Sequence, residues 1–113
     1  MREILFKAKR KDNGEWIEGY YVYCRKRHYI LQVLNKAIGF DEREYEWVEV
    51  DPDIICQYTG LTDKNGKKIW ENDLLGHKLN RVEFLNGTYC INGDRSLFFE
   101  ANTNEVIGNI FDN

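Results

Sequence analysis

The chain has 113 residues, of which 42% are hydrophobic and 14% aromatic, and it carries a formal net charge of -3. That length suits one ordinary domain with its own core, and the composition excludes a disordered chain. No apolar run approaches the about 18 residues of a membrane span, and the N-terminal apolar segment is too short for a signal peptide, so an intracellular, cytoplasmic protein is expected.

Seven Tyr, six Phe and three Trp favour strands, and nine Gly with a single Pro favour tight turns, so the expected fold is mainly β. Cys24, Cys56 and Cys90 are odd in number and form no CxxC pair, which points to buried, reduced thiols. Charge is uneven. Residues 1–28 carry eight Lys/Arg against four acids, a balance of +4 that leaves -7 for the rest. Such asymmetry marks either a nucleic-acid contact or complementary faces that draw copies of one protein together.

In chain order, Ile4, Phe6 and Ala8 alternate with Glu3, Lys7 and Lys9 as in a half-buried strand. Lys11-Asp12-Asn13-Gly14 is a turn with Asn-Gly at its centre. Glu15 to Cys24 is apolar on both faces, which suits a central or interface strand, and Gly19 within it suggests a bulge or a close backbone approach. Arg25-Lys26-Arg27-His28 forms a hairpin tip that returns through Tyr29 to Val33. Leu34 to Gly39 reads as one helical turn or a loop, and Asp41 to Glu44 as a solvated acidic loop. Tyr45, Trp47 and Glu49 share one face of a further strand. Asp51-Pro52 has the form of an N-cap and an N1 proline, which predicts a brief helix through Ile54, Ile55 and Tyr58 that Gly60 stops.

The central stretch from Gln57 to Leu75 forms the joint between two halves, 1–50 and 51–113. In it, Lys64-Asn65-Gly66-Lys67 predicts a type I′ turn with positive φ at Asn65 and Gly66. Trp70 to Asp73 is a corner, where Trp70 serves either as a core plug or as a recognition aromatic. A hairpin follows, Arg81 to Asn92 around Asn86-Gly87. Ser96 to Ala101 is a strand or a single helical turn, and Glu105 to Phe111 is the closing strand.

Phe6-Lys7-Ala8-Lys9-Arg10, Gly14-Glu15-Trp16 and Gly19-Tyr20 carry a family resemblance, together with the block from Gln57 to Ile69 and Glu105-Val106-Ile107-Gly108-Asn109-Ile110. In this order, over nearly the whole length, they resemble the YopX family of small phage and prophage proteins. The chain departs from that pattern at Asn72-Asp73-Leu74-Leu75, where the family favours Gly-Asp and β-branched residues, and in a short linker from Gly76 to Asn80. The resemblance implies an antiparallel N-terminal β subdomain (1–50) packed beside a C-terminal SH3-like β-barrel (51–113), with one or two short helical turns. It implies no catalytic residues and no cofactor.

The residues themselves offer little chemistry. Cys24 and His28 are four apart but flank a hairpin tip, without the further ligands a structural metal needs, and His77 reads as a loop or partial-core residue. Cys56 and Cys90 sit among apolar neighbours, which makes thiols inert. Glu71 and Asp73 are acids at a turn. The best functional lead is basic and aromatic: Lys7, Lys9, Arg10, Lys11, Arg25, Lys26 and Arg27, with Tyr20, Tyr21, Tyr23 and Trp70. These residues either grip a single strand or only solvate a sheet edge. The expected role is a non-enzymatic phage or prophage accessory protein, an interaction module that self-associates or meets an unidentified phage or host protein. The alternative is a regulatory barrel that binds nucleic acid through its basic N-terminal face.

Overall fold

The structure, a computed structural model, describes residues 4–35 and 44–112. It is mainly β, with one short helix, and it divides into an N-terminal unit (Ile4–Cys56) and a C-terminal unit (Gln57–Asn113). No helix of the described residues is long and apolar enough to cross a membrane.

In the N-terminal unit β1 (Phe6–Arg10) pairs antiparallel with β2 (Trp16–Cys24), placing Ala8 opposite Ile17 and Phe6 opposite Gly19. The connecting turn closes through the Arg10 N–H to the Glu15 carbonyl at 2.8 Å. Gly14 has φ +74, whereas Asn13 stays at negative φ and accepts the Glu15 N–H on its side chain at 2.9 Å. This is a longer loop than a type I′ turn. β3 (Arg27–Asn35) pairs with β2, and β4 (Glu44–Thr62) with β3, setting Ile30 opposite Val48 and Leu31 opposite Trp47. β4 also pairs with β1, so the four strands curl into a partly closed sheet. Ala8, Ile17, Ile30, Val48 and Val50 fill it, flanked by Phe6, Tyr21 and Ile55. Gly19 is required by a close approach, because a Cβ there would sit 2.3 Å from the Leu31 carbonyl oxygen.

The helix expected from Asp51 to Tyr58 is absent; β4 continues through it to Thr62. The Asp51 carboxylate does accept the Asp53 N–H at 3.0 Å, as an N-cap would, but the chain after it stays extended. β-branched Ile54 and Ile55 suit a strand. Pro52 lies beyond Glu49, the last residue that pairs with β3 on that side, so its missing N–H removes no bond to that strand. The division between units thus falls inside β4, after Cys56, where the sequence pattern placed it after Val50. Of the unassigned Leu34 to Glu44 segment, residues 36–43 lie outside the described residues.

In the C-terminal unit the last residues of β4 pair with β5 (Lys68–Trp70), Thr62 facing Lys68 and Tyr58 facing Trp70. The Lys64-Asn65-Gly66 turn has positive φ only at Gly66, +80, so it is not the type I′ turn expected there. Asp63 explains the difference. Its buried carboxylate accepts the N–H groups of Asn65 and Lys67, at 2.8 and 2.9 Å, and holds the loop in an Asx-type form. β6 (Asp73–Leu75) pairs with β10 (Val106–Asn109). Asn72, at the departure from the family pattern, adopts φ +69, a conformation that Gly takes freely and Asn tolerates. β7 (Val82–Leu85) and β8 (Thr88–Ile91) join through Asn86 and Gly87 at φ +53 and +81, which is a type I′ turn. β9 (Arg95–Ser96) adds to β8, and the undecided segment after it is α1 (Leu97–Glu100) followed by a 3-10 turn, Ala101–Thr103. Ile69, Leu75, Val82, Tyr89, Ile91, Leu97 and Ala101 form the core. β6 with β10, and β7 with β8 and β9, pair as separate small sheets, with one bridge from Leu74 to Arg81, while β5 continues the sheet of β4.

Candidate interaction surface

The period of a strand sorts the predicted residues onto different faces. Along β1 and β2, Ala8 and Ile17 point inward, while Lys7 and Lys9 stand over the Trp16 ring, their Nζ atoms 4.5 and 5.4 Å from its centroid. Tyr21 turns toward the core, packs on Phe6 at 5.5 Å between ring centroids and shares a hydrogen bond with His28 Nδ1. Tyr23 is 60% exposed beside the His28 ring, and Tyr20, on the opposite face, is 50% exposed. The three tyrosines therefore do not form one stacking platform. Trp70 lies in the C-terminal unit and is only 4% exposed, the position of a core plug.

Four of the basic residues do converge. Two adjoining hollows of about 430 and 440 Å³ share Lys11 and Glu49. Arg10, Asp12 and Trp47 line the first; Lys26, Arg27 and His28 line the second, over Val50 and Pro52. Glu49 holds the middle. Its Oε2 lies 3.3 Å from Lys11 Nζ and its Oε1 lies 3.7 Å from Arg27 Nη1. Backbone closure fixes this arrangement, because the Lys11 N–H donates to the Glu49 carbonyl at 3.0 Å. Nearby, Arg10 donates two hydrogen bonds of 3.0 Å to Asp12. Those bonds hold the Asp12 carboxyl below its usual range and the Arg10 guanidinium above its own. Arg25 and Lys26 reverse the chain at φ +50 and +65, without the Asn or Gly such a turn favours.

Trp47 was not among the residues singled out by sequence. It is 55% exposed and meets Tyr29 edge-on, ring centroids 5.7 Å apart. The signal was available in the alternation of β4: Val48 and Val50 are buried, so Trp47 and Glu49 must face outward. Exposed aromatics that are already packed on a neighbour lose little freedom on binding, and they are common anchors of protein interfaces.

Two sequence expectations are corrected. Cys24 is exposed at the end of β2, while Cys56 and Cys90 are buried. Glu71 and Asp73 are not solvated turn acids: Glu71 accepts the Gln57 N–H at 2.7 Å, and buried Asp73 accepts the Trp70 N–H at 2.8 Å and an Asn109 amide hydrogen at 2.9 Å. His77 is exposed, and its Nδ1 accepts the Leu79 N–H. The C-terminal unit has a hollow of about 320 Å³ beside Thr59, Leu61, Tyr89 and Phe98, with Phe98 and Phe99 exposed and in edge contact at 5.5 Å. Sequence reading gave no sign of it.

Comparison with known proteins finds one family model, described as YopX protein, that matches residues 5–113. No curated protein matches the chain.

Proposed function

Because this chain belongs to the YopX family, we propose that it is a non-enzymatic accessory protein of phage or prophage, an interaction module that acts in the bacterial cytoplasm. Its groove face on the N-terminal unit holds protein partners, including further copies of itself. The observation that carries this reading is Trp47, exposed and braced by Tyr29, next to the Lys11–Glu49–Arg27 ion pairs. An aromatic anchor with charges around it is the usual anatomy of a protein interface. The acids best placed for acid–base chemistry, Glu71 and Asp73, serve as acceptors for backbone and amide hydrogens, which supports a role in architecture.

The second reading, a nucleic-acid-binding regulatory protein, draws on Lys7 and Lys9 around Trp16. Against it, Arg10, Lys11 and Arg27 are matched by Asp12 and Glu49, so the groove is of mixed sign. Light scattering coupled to size exclusion tests the first reading. The wild-type protein is expected to grow in mass with concentration, and Trp47→Ser is expected to suppress that growth. A strict monomer at high concentration removes self-association.

A further inference from the structure

The ion pairs of the groove say what kind of partner it takes. Lys11, in the turn after β1, and Arg27, at the start of β3, both reach the same carboxylate, that of Glu49. Lys26 and His28 line the same hollow over an apolar floor of Val50 and Pro52. Backbone strain points to the same place. Arg25 and Lys26 occupy left-handed conformations that cost non-Gly residues free energy, and such strain concentrates at binding sites. The Asn86-Gly87 turn makes the same reversal with the two residue types that tolerate it best.

We propose that this groove is a docking site for an acidic peptide segment of a partner protein, with Glu49 as a built-in competitor. A carboxylate of the partner replaces that of Glu49 between Lys11 and Arg27, and the partner's apolar side chains lie against Trp47 and the groove floor. The inference rests on the interaction-module reading and adds the partner's chemistry. Acids in the groove decide between carboxylates and phosphates. Asp12 pairs with Arg10, Glu49 pairs with Lys11 and Arg27, and Glu46 lines the same hollow. A continuous phosphodiester strand would meet repulsion along this groove, whereas a peptide with spaced carboxylates fits between the acids.

The test is fluorescence anisotropy at low salt with a fluorescein-labelled peptide that alternates Glu and Leu, against oligothymidylate of matched charge. The wild-type protein should bind the peptide, and added salt should weaken binding. Arg27→Ala and Lys26→Ala should each weaken it about five-fold, and Glu49→Gln should tighten it about five-fold, the scale of one exposed ion pair. Circular dichroism confirms that each variant is folded. Unchanged or weaker binding by Glu49→Gln overturns the competitor role. Tighter binding of oligothymidylate than of peptide overturns the carboxylate assignment in favour of nucleic acid. Peptide binding by a protein that stays monomeric removes only self-association; absence of both removes the interaction reading.

Discussion

The carboxylate of Asp63 accepts the backbone N–H of Val106 at 2.9 Å, tying the central turn to the closing strand 43 residues later. Its other oxygen serves Asn65 and Lys67. One buried side chain therefore joins the two most distinctive blocks of the sequence. A hydrogen bond to a charged group contributes about 1.5–3 kcal/mol, and less where the freed N–H can turn to water, as at exposed Asn65 and Lys67. Asp63→Ala should lower unfolding free energy by about 3 kcal/mol in urea titration, and Asp63→Asn by less, since it retains one acceptor.

The same residue gives a pH dependence. Burial alone would raise the Asp63 pKa, but the N–H groups of Val106, Lys67 and Asn65 together outweigh it and hold the carboxyl below its ordinary 3.8. A depressed carboxyl stabilises the fold above its unfolded pKa and loses that contribution as pH falls through the folded value. Wild-type stability should fall as pH drops below about 4, and Asp63→Asn should show a flatter acid limb. Parallel acid limbs for the two proteins would show that Asp63 is not the titrating group.

Asp73 and Asn109 form a second buried link, 2.9 Å from carboxylate to amide nitrogen, and the amide also reaches the Glu71 carbonyl at 3.2 Å. Residues that share a network are not additive. A double-mutant cycle with Asp73→Ala and Asn109→Ala should give a coupling of about 1 kcal/mol. Additive losses would place the two residues in independent roles.

The Arg25-Lys26 turn makes a prediction of opposite sign. Replacing it by the relaxed pair, Arg25→Asn with Lys26→Gly, should stabilise the protein by about 1 kcal/mol or more, because a left-handed conformation costs about 1–2 kcal/mol per non-Gly residue. The same change removes one groove charge, that of Lys26, and should weaken acidic-peptide binding. Stabilisation with undiminished binding would separate the strain from the function.

Gly19→Ala should destabilise by about 1–3 kcal/mol, since the new methyl would meet the Leu31 backbone oxygen, which no rotamer change can clear. Urea denaturation reads this directly, and a neutral result would mean that β2 and β3 separate readily.

How much of this was legible in the sequence depends on the range of the interactions. Alternation placed the strand around Ala8, because burial on one face repeats every second residue. Gly19 stood out because Gly is costly in a strand without a reason. Local chemistry misled where distant partners decide. Asn13 and Asn65 look like type I′ positions, yet positive φ at both central residues occurs at Asn86-Gly87 and Asn92-Gly93, while at Asn65 the Asp63 carboxylate dictates a different loop. Asp51-Pro52 looked like a helix start, but β4 stays extended there and pairs with β5 further on. At the site, Lys11 and Arg27 were legible as charges; that both converge on Glu49 was not, since sheet closure brings them together. Tyr21 and Trp70 were read as candidate contacts by type alone, and burial decided their place.

Docking of partners at the groove of the N-terminal unit is the central proposal. The most direct measurement is amide chemical-shift mapping by NMR during titration with the Glu-Leu peptide. It predicts that shifts concentrate on Lys11, Arg27, Trp47 and Glu49 and saturate together. Shifts centred on Phe98 and Phe99 in the C-terminal unit, or no shift at saturating peptide, would contradict it.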